Sequence, residues 1–234
     1  TSTATFTVSD GANVTIQSWA KNDGTIHATA DTSAAAGGMS LVCLGSIVVV
    51  FERGANITVL GWAAHNATLR ASAGYAAAAA GLAIYVQTSA TLNVSGGATV
   101  TMLGSAADDA TLLATAGYMA AATAGMAIYS NGVSTVIFAA EANVTMQGWS
   151  ARGATIRATT IGHAATVAGL AVDSRGSPLI VIGGAASLTM IARAADGATI
   201  QATVSDRTAA VAGVALYAPS PPTVTIARGA SVTM

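Results

Sequence analysis

GANVTIQSWAKNDGTIHATA, residues 11–30, returns as GANITVLGWAAHNATLRASA at residues 54–73. The offset is 43 residues, and the match reaches far beyond this pair. Centred on Thr15, an apolar-Thr-apolar tripeptide recurs at Thr58, Thr101, Thr145, Thr189 and Thr233, at spacings of 43, 43, 44, 44 and 44. Val14, Ile57, Val100, Val144, Leu188 and Val232 precede the threonines, and Ile16, Val59, Met102, Met146, Met190 and Met234 follow them. Self-similarity at a fixed period marks a repeat architecture. Alternation with period two inside each copy marks strands. The chain reads as an all-β, parallel β-solenoid.

Each copy also resembles itself internally. ATLRASAG (67–74) is close to ATLNVSGG (90–97), and the strand starts at Thr5, Thr25, Val48, Thr68, Thr91 and Thr111 are separated by 20 and 23 in turn. This half-repeat predicts a coil of about 22 residues, two unlike coils making up the 43–44 period, and ten coils in a rod about 50 Å long at the usual strand spacing. One inward column is large (Val8, Phe51, Val94, Phe138, Ile182, Ile226) and its counterpart is alanine (Ala28, Ala71, Ala114, Ala158, Ala202). Stacked in alternation, large and small layers would interdigitate. Gly38, Gly81, Gly125, Gly169 and Gly213 mark one corner, where a positive φ or a close backbone approach is expected. The alanine-rich stretches 76–80 and 119–124 read as loops with room for a third short strand.

The expected organisation is a single solenoid over 1–234, with repeats at about 12–54, 55–97, 98–141, 142–185 and 186–229. Partial coils at both ends suggest a window from a longer array. Armadillo-type repeats share the period but need amphipathic helices, which the Thr/Val alternation denies. Propeller blades need four antiparallel strands, whereas the half-repeat has the length of one coil.

Hydrophobic residues make up 53% of the chain and charged residues 8%, with a formal net charge of −1. Such a chain has no basic stripe for nucleic acid and no acidic tail. The apolar runs 41–51 and 75–86 are too short or too broken for a membrane-spanning helix. A transmembrane barrel needs aromatic girdles, which three Trp and five Tyr cannot furnish. The single Cys43 has no partner for an internal disulfide, so stability must come from stacking.

The candidate sites lie on outward columns. A threonine ladder is expected at Thr15, Thr58, Thr101, Thr145, Thr189 and Thr233. A second run joins Thr5, Thr25, Thr68, Thr91, Thr111, Thr135, Thr155, Thr199 and Thr223, broken by Val48 and Leu179. Stacked hydroxyls and β-branched side chains suit strands without further purpose. The sharper alternative, an ice-binding plane, is weakened by His27, Arg70, Leu113, Arg157 and Gln201, whose long side chains roughen the surface. Leu60, Tyr85, Leu103 and Tyr129 are expected to form one apolar face for lateral packing. Trp19, Trp62 and Trp149 recur at what reads as a corner after the strand. Asn13, Asn56, Asn66, Asn93 and Asn143 head Asn-X-Ser/Thr sequons, acceptor sites for covalent glycans in a secreted protein.

Catalytic chemistry finds little purchase. Asp10, Asp23, Asp31, Glu52, Asp108, Asp109, Glu141, Asp173, Asp196 and Asp206 are scattered, and Asp108–Asp109 aligns with Asn22–Asp23 as a turn. His27, His65 and His163 fall at different repeat positions and offer no metal-ligand spacing. The expectation is no enzyme, no cofactor and no metal.

The segments GANVTI, GANITV, GATVTM and EANVTM, followed by GTIHAT, ATLRAS, ATLLAT and ATIRAT, run through the whole chain. This repeat style resembles large repetitive β-helical surface proteins such as the kinetoplastid dispersed gene family. The resemblance implies a long glycoprotein, extracellular or on the cell surface. The expected function is structural: a segment of a fibre, surface coat or adhesin, associating with itself or with neighbouring segments of a longer chain. A carbohydrate-binding or carbohydrate-cleaving β-helix and an ice-binding protein are the alternatives.

Overall fold

The computed structural model describes residues 2–139, 141–205 and 207–234, so Asp206 lies outside the described residues. Among the described residues all 27 elements are strands, and they form five parallel sheets. Sheet I stacks Thr3–Val8, Ser46–Phe51, Ala90–Val94, Ser134–Phe138, Leu179–Ile182 and Thr223–Ile226. Sheet II stacks Asn13–Lys21, Asn56–Ala64, Thr99–Ala107, Asn143–Ala151, Ser187–Ala194 and Ser231–Thr233. Sheet III holds Thr25–Ala30, Thr68–Ala73, Thr111–Ala116, Thr155–Thr160 and Thr199–Val204. Sheet IV holds Ser33–Ala35, Ala76–Ala79, Ala120–Thr123, Ala164–Val167 and Thr208–Val211. Sheet V holds Met39–Cys43, Leu82–Val86, Met126–Ser130, Leu170–Ser174 and Val214–Tyr217.

The parallel β-solenoid is therefore as expected, but its coil is not. Neighbouring strands pair Thr3 with Ser46 and Leu82 with Met126, so one coil takes 43 or 44 residues and visits all five sheets. A 22-residue step instead carries the chain to another side of the same coil. Six stacked strands span five intervals, a rod of about 24 Å at the usual strand spacing. The two inward columns that seemed to alternate are separate. Val8, Phe51, Val94, Phe138, Ile182 and Ile226 lie together on sheet I. Ala28, Ala71, Ala114, Ala158 and Ala202 lie together on sheet III.

The cross-section has two lobes. In the first, Val49 and Phe51 of sheet I, Ile57 and Val59 of sheet II, and Leu82 and Ile84 of sheet V make a core of large side chains. In the second, Leu69, Leu112 and Ile156 of sheet III meet alanines from sheets II and IV, among them Ala63, Ala77 and Ala79. Between the lobes, sheets IV and V turn their remaining faces toward each other through Ala76, Ala78, Ala83, Ala120, Ala122 and Ala127. Both faces of the Ala76–Ala79 strand are thus packed, and its four residues are fully buried. Alanine favours helix on its own. Here burial on two faces against close neighbours overrides that preference, and the stretch read as a loop is a strand.

The corner between sheets IV and V points inward and abuts the middle of sheet II. A Cβ on Gly61 would fall 2.6 Å from Ala80 Cβ and 3.0 Å from Leu69 Cδ2. Size is traded across this contact from coil to coil: Ser18 faces Gly37, whereas Gly61 faces Ala80 and Gly104 faces Ala124. At the corner itself, positive φ belongs to Gly37, Ala80, Ala124, Ala168 and Ala212. The glycine that follows serves the close approach: a Cβ on Gly125 would sit 2.6 Å from the Gly169 carbonyl oxygen.

The two other tight corners are two-residue turns with both central residues at positive φ, such as Asp10–Gly11 and Asn22–Asp23. Ala12 N donates to Ser9 O at 3.1 Å, and Gly24 N to Lys21 O at 3.1 Å. Asp108–Asp109 is one of these turns, where Asp108 pairs with His65 at 3.1 Å and Arg152 at 2.9 Å.

The two kinds of glycine separate by experiment. Gly54 has φ +72° with open space around its Cβ position, so Gly54→Ala costs the left-handed backbone alone, about 1 kcal/mol. Gly125→Ala forces apart packed backbone and costs about 3 kcal/mol. Denaturant midpoints of the two variants check the order.

Candidate functional site: the seam between sheets IV and V

Where sheets IV and V meet the surface, two columns face each other. Thr32, Tyr75, Met119, His163 and Arg207 each immediately precede a sheet IV strand. Opposite them, Val42, Tyr85, Tyr129, Asp173 and Tyr217 stack in register on sheet V. The step from 43 to 44 residues per coil falls at this place. Two residues link Thr68–Ala73 to Ala76–Ala79, whereas three link Thr111–Ala116 to Ala120–Thr123.

The columns are joined by rings and then by charges. Tyr75 stacks on Tyr85 at 5.1 Å between centroids, and Tyr85 on Tyr129 at 5.7 Å with only 10° between planes. The His163 imidazole lies 4.1 Å from the Tyr129 ring. His163 Nδ1 is 3.1 Å from Asp173 Oδ2, and Arg207 Nη1 is 3.5 Å from Asp173 Oδ1. The Arg207 guanidinium also covers the Tyr217 ring at 4.8 Å. Asp173 has no solvent exposure. A buried carboxyl group is costly unless paired, and this one has the His163 imidazole on one oxygen and the Arg207 guanidinium on the other. At the other end of the seam, Thr32 and Val42 are too small to continue the rings. A cavity of about 310 Å³ remains there, lined by Thr32, Val42, Leu44, Tyr75, Tyr85 and Gln87.

The sequence alone hides this cluster, because His163 and Asp173 fall at unlike repeat positions and a single strand does not show what stands opposite it. The available signal was Asp173 interrupting a column of tyrosines.

The expected sites distribute as follows. The six threonines Thr15, Thr58, Thr101, Thr145, Thr189 and Thr233 form one column on the outer face of sheet II. The longer run of threonines is two columns. Thr25, Thr68, Thr111, Thr155 and Thr199 stand unbroken on sheet III, while Thr5, Thr91, Thr135 and Thr223 share sheet I with Val48 and Leu179. The apolar stripe of Leu60, Tyr85, Leu103 and Tyr129 does not exist as one face. Leu60 and Leu103 are half-buried on sheet II, whereas Tyr85 and Tyr129 are buried in the seam on sheet V. The error follows from the halved coil, which laid sheets II and V on one ladder. Trp19, Trp62 and Trp149 share a column with Ser105 and Arg193 inside the sheet II strands, not at a corner. Asn13, Asn56 and Asn143 are exposed in the first column of that face. Asn66 is exposed in a turn, and Asn93 is half-buried on sheet I. Among the described residues no group of three His, Cys, Asp or Glu could hold a metal ion, and no helix is long and apolar enough to cross a membrane.

No protein-family model, curated protein or solved structure matches the chain.

Burial of the Tyr129 phenol pushes its pKa above the ordinary 10.0, because the ionised form loses solvation. The folded state then holds this proton more tightly than the unfolded chain does. The corresponding stability is whole below pH 10.0 and is lost as pH rises through the higher folded value. Alkaline denaturation series should show this fall in the wild type and a shallower one in Tyr129→Phe.

Proposed function

We propose that the chain is a structural, non-enzymatic segment of an extracellular fibre, surface coat or adhesin, and that it packs sideways through the outer face of sheet II. Parallel ladders continuous over five or six strands make a stiff rod. The observation that carries the reading is the exposed apolar content of that one face. Trp19 is 67% exposed and Trp149 43%, beside the column of Leu60, Leu103 and Ile191. Exposed tryptophans beside half-buried aliphatic side chains on one sheet face are a mark of a protein contact. The partner is another copy or a neighbouring segment of the same kind. The family resemblance in repeat style supports a surface location.

Glycans and lateral packing compete for this face. Asn56 and Leu60 lie on the same side of one strand, four residues apart, or about 13 Å. A glycan on the Asn13–Asn56–Asn143 column would screen the tryptophans. The packing reading therefore requires this column to be unmodified in the assembled form. The ice-binding reading is less well supported, because Arg70 and Arg157 stand between the threonine columns of sheet III.

The test is Leu103→Lys combined with Trp149→Lys. Both side chains point outward, and a lysine stem still covers the strand beneath it, so circular dichroism should be unchanged. Sedimentation and electron microscopy should show side-by-side association weakened by about tenfold or more. Association unchanged in the double variant, or a wild type that stays monomeric at every concentration, removes the proposal.

A further inference from the structure

The ring stack of the seam ends at a vacancy in its own pattern. Sheet V carries Tyr85, Tyr129 and Tyr217 in one column, and at the first position the residue is Val42. The opposite column likewise changes from Tyr75 to Thr32. The cavity of about 310 Å³ occupies the space the missing rings would fill. Tyr75, 37% exposed and stacked on Tyr85, provides an aromatic wall. Leu44, 73% exposed, lines the slot on its solvent side. The polar side chains lining the slot outside the tyrosines are the Thr32 hydroxyl and the Gln87 amide. Both side chains are exposed at the mouth of the slot.

We propose that this slot binds a single neutral pyranose ring. Its size is at the lower end of ligand pockets, about 300–1,000 Å³, which suits one six-membered ring and its substituents. A pyranose has an apolar C–H face for the tyrosine wall and hydroxyls at its edge. Gln87 offers both a donor and an acceptor to a pair of those hydroxyls, and Thr32 offers one of each. Every lining side chain is uncharged, which disfavours nucleotides, sugar phosphates and uronic acids. A purely aromatic guest would gain nothing from the Gln87 and Thr32 groups beside the wall. The site is independent of the sheet II face, so each stands or falls without the other.

The probes are methyl glucopyranoside, methyl galactopyranoside and methyl mannopyranoside, with phenol as the aromatic comparison, followed by saturation-transfer NMR and tyrosine fluorescence. At least one glycoside should bind with a millimolar or tighter constant. Gln87→Ala should weaken it by about tenfold, the effect of losing about one hydrogen bond. Val42→Tyr should abolish it by completing the column. Tyrosine already occupies this position in three other coils, so the variant should keep the wild-type circular dichroism and melting curve. Binding by none of the glycosides, affinity untouched by Val42→Tyr, or preference for phenol over every sugar would each overturn the assignment.

Discussion

Backbone hydrogen bonds from each coil to the next, between residues 42 to 45 apart, hold every part of this molecule in place. They run through all five sheets and continue through the corners, where Gly11 N donates to Arg53 O and Asp23 N to His65 O, both at 2.9 Å. Because each coil must overlie the next atom for atom, a side chain is chosen against the same position above and below it. This is why threonine, alanine and valine dominate. Small and β-branched residues repeat along a column without crowding.

The second constraint is the inward corner. Sheets IV and V can share an alanine-lined contact only because the chain turns there on residues with little or no side chain. The opposite wall gives way in step, with Gly61, Gly104 and Gly148 in the middle of sheet II. The corner divides one core into a lobe of large aliphatic residues and a lobe of mostly alanine. It also creates the seam, whose outer end is wide enough for rings. Chemistry in this protein gathers where the two walls stop touching. The extra residue that lengthens later coils sits at the same place and precedes Met119, His163 and Arg207.

Strand alternation, the parallel solenoid and the columns of like residues were legible in the sequence, because period two and period 43–44 are visible without coordinates. Coil length was not. The arcs beginning at Thr5 and Thr25 both read as Thr-apolar alternation followed by a turn, and a single sequence does not show whether two similar arcs lie above or beside each other. One clue pointed the right way. Ala28, Ala71, Ala114, Ala158 and Ala202 never vary, while Val8 and its partners are always large. Such constancy belongs to a column, and alternation between two constant columns belongs to two faces. The seam was less legible still. Its contacts join residues ten apart across a corner, as His163 and Asp173 are, and neither column shows its purpose alone.

The claim that one coil takes 43 or 44 residues is tested most directly by cysteine pairs in a Cys43→Ser background. Thr68 lies beside Thr111 on sheet III, whereas Thr91 is on sheet I. Adjacent strands stand about 4.8 Å apart, within the range of about 4.4–6.8 Å between the Cα atoms of a disulfide. Thr68→Cys with Thr111→Cys should therefore cross-link under mild oxidation, and Thr68→Cys with Thr91→Cys should not. Efficient linkage of the second pair would mean stacking at half the period, and the five-sheet coil would be wrong.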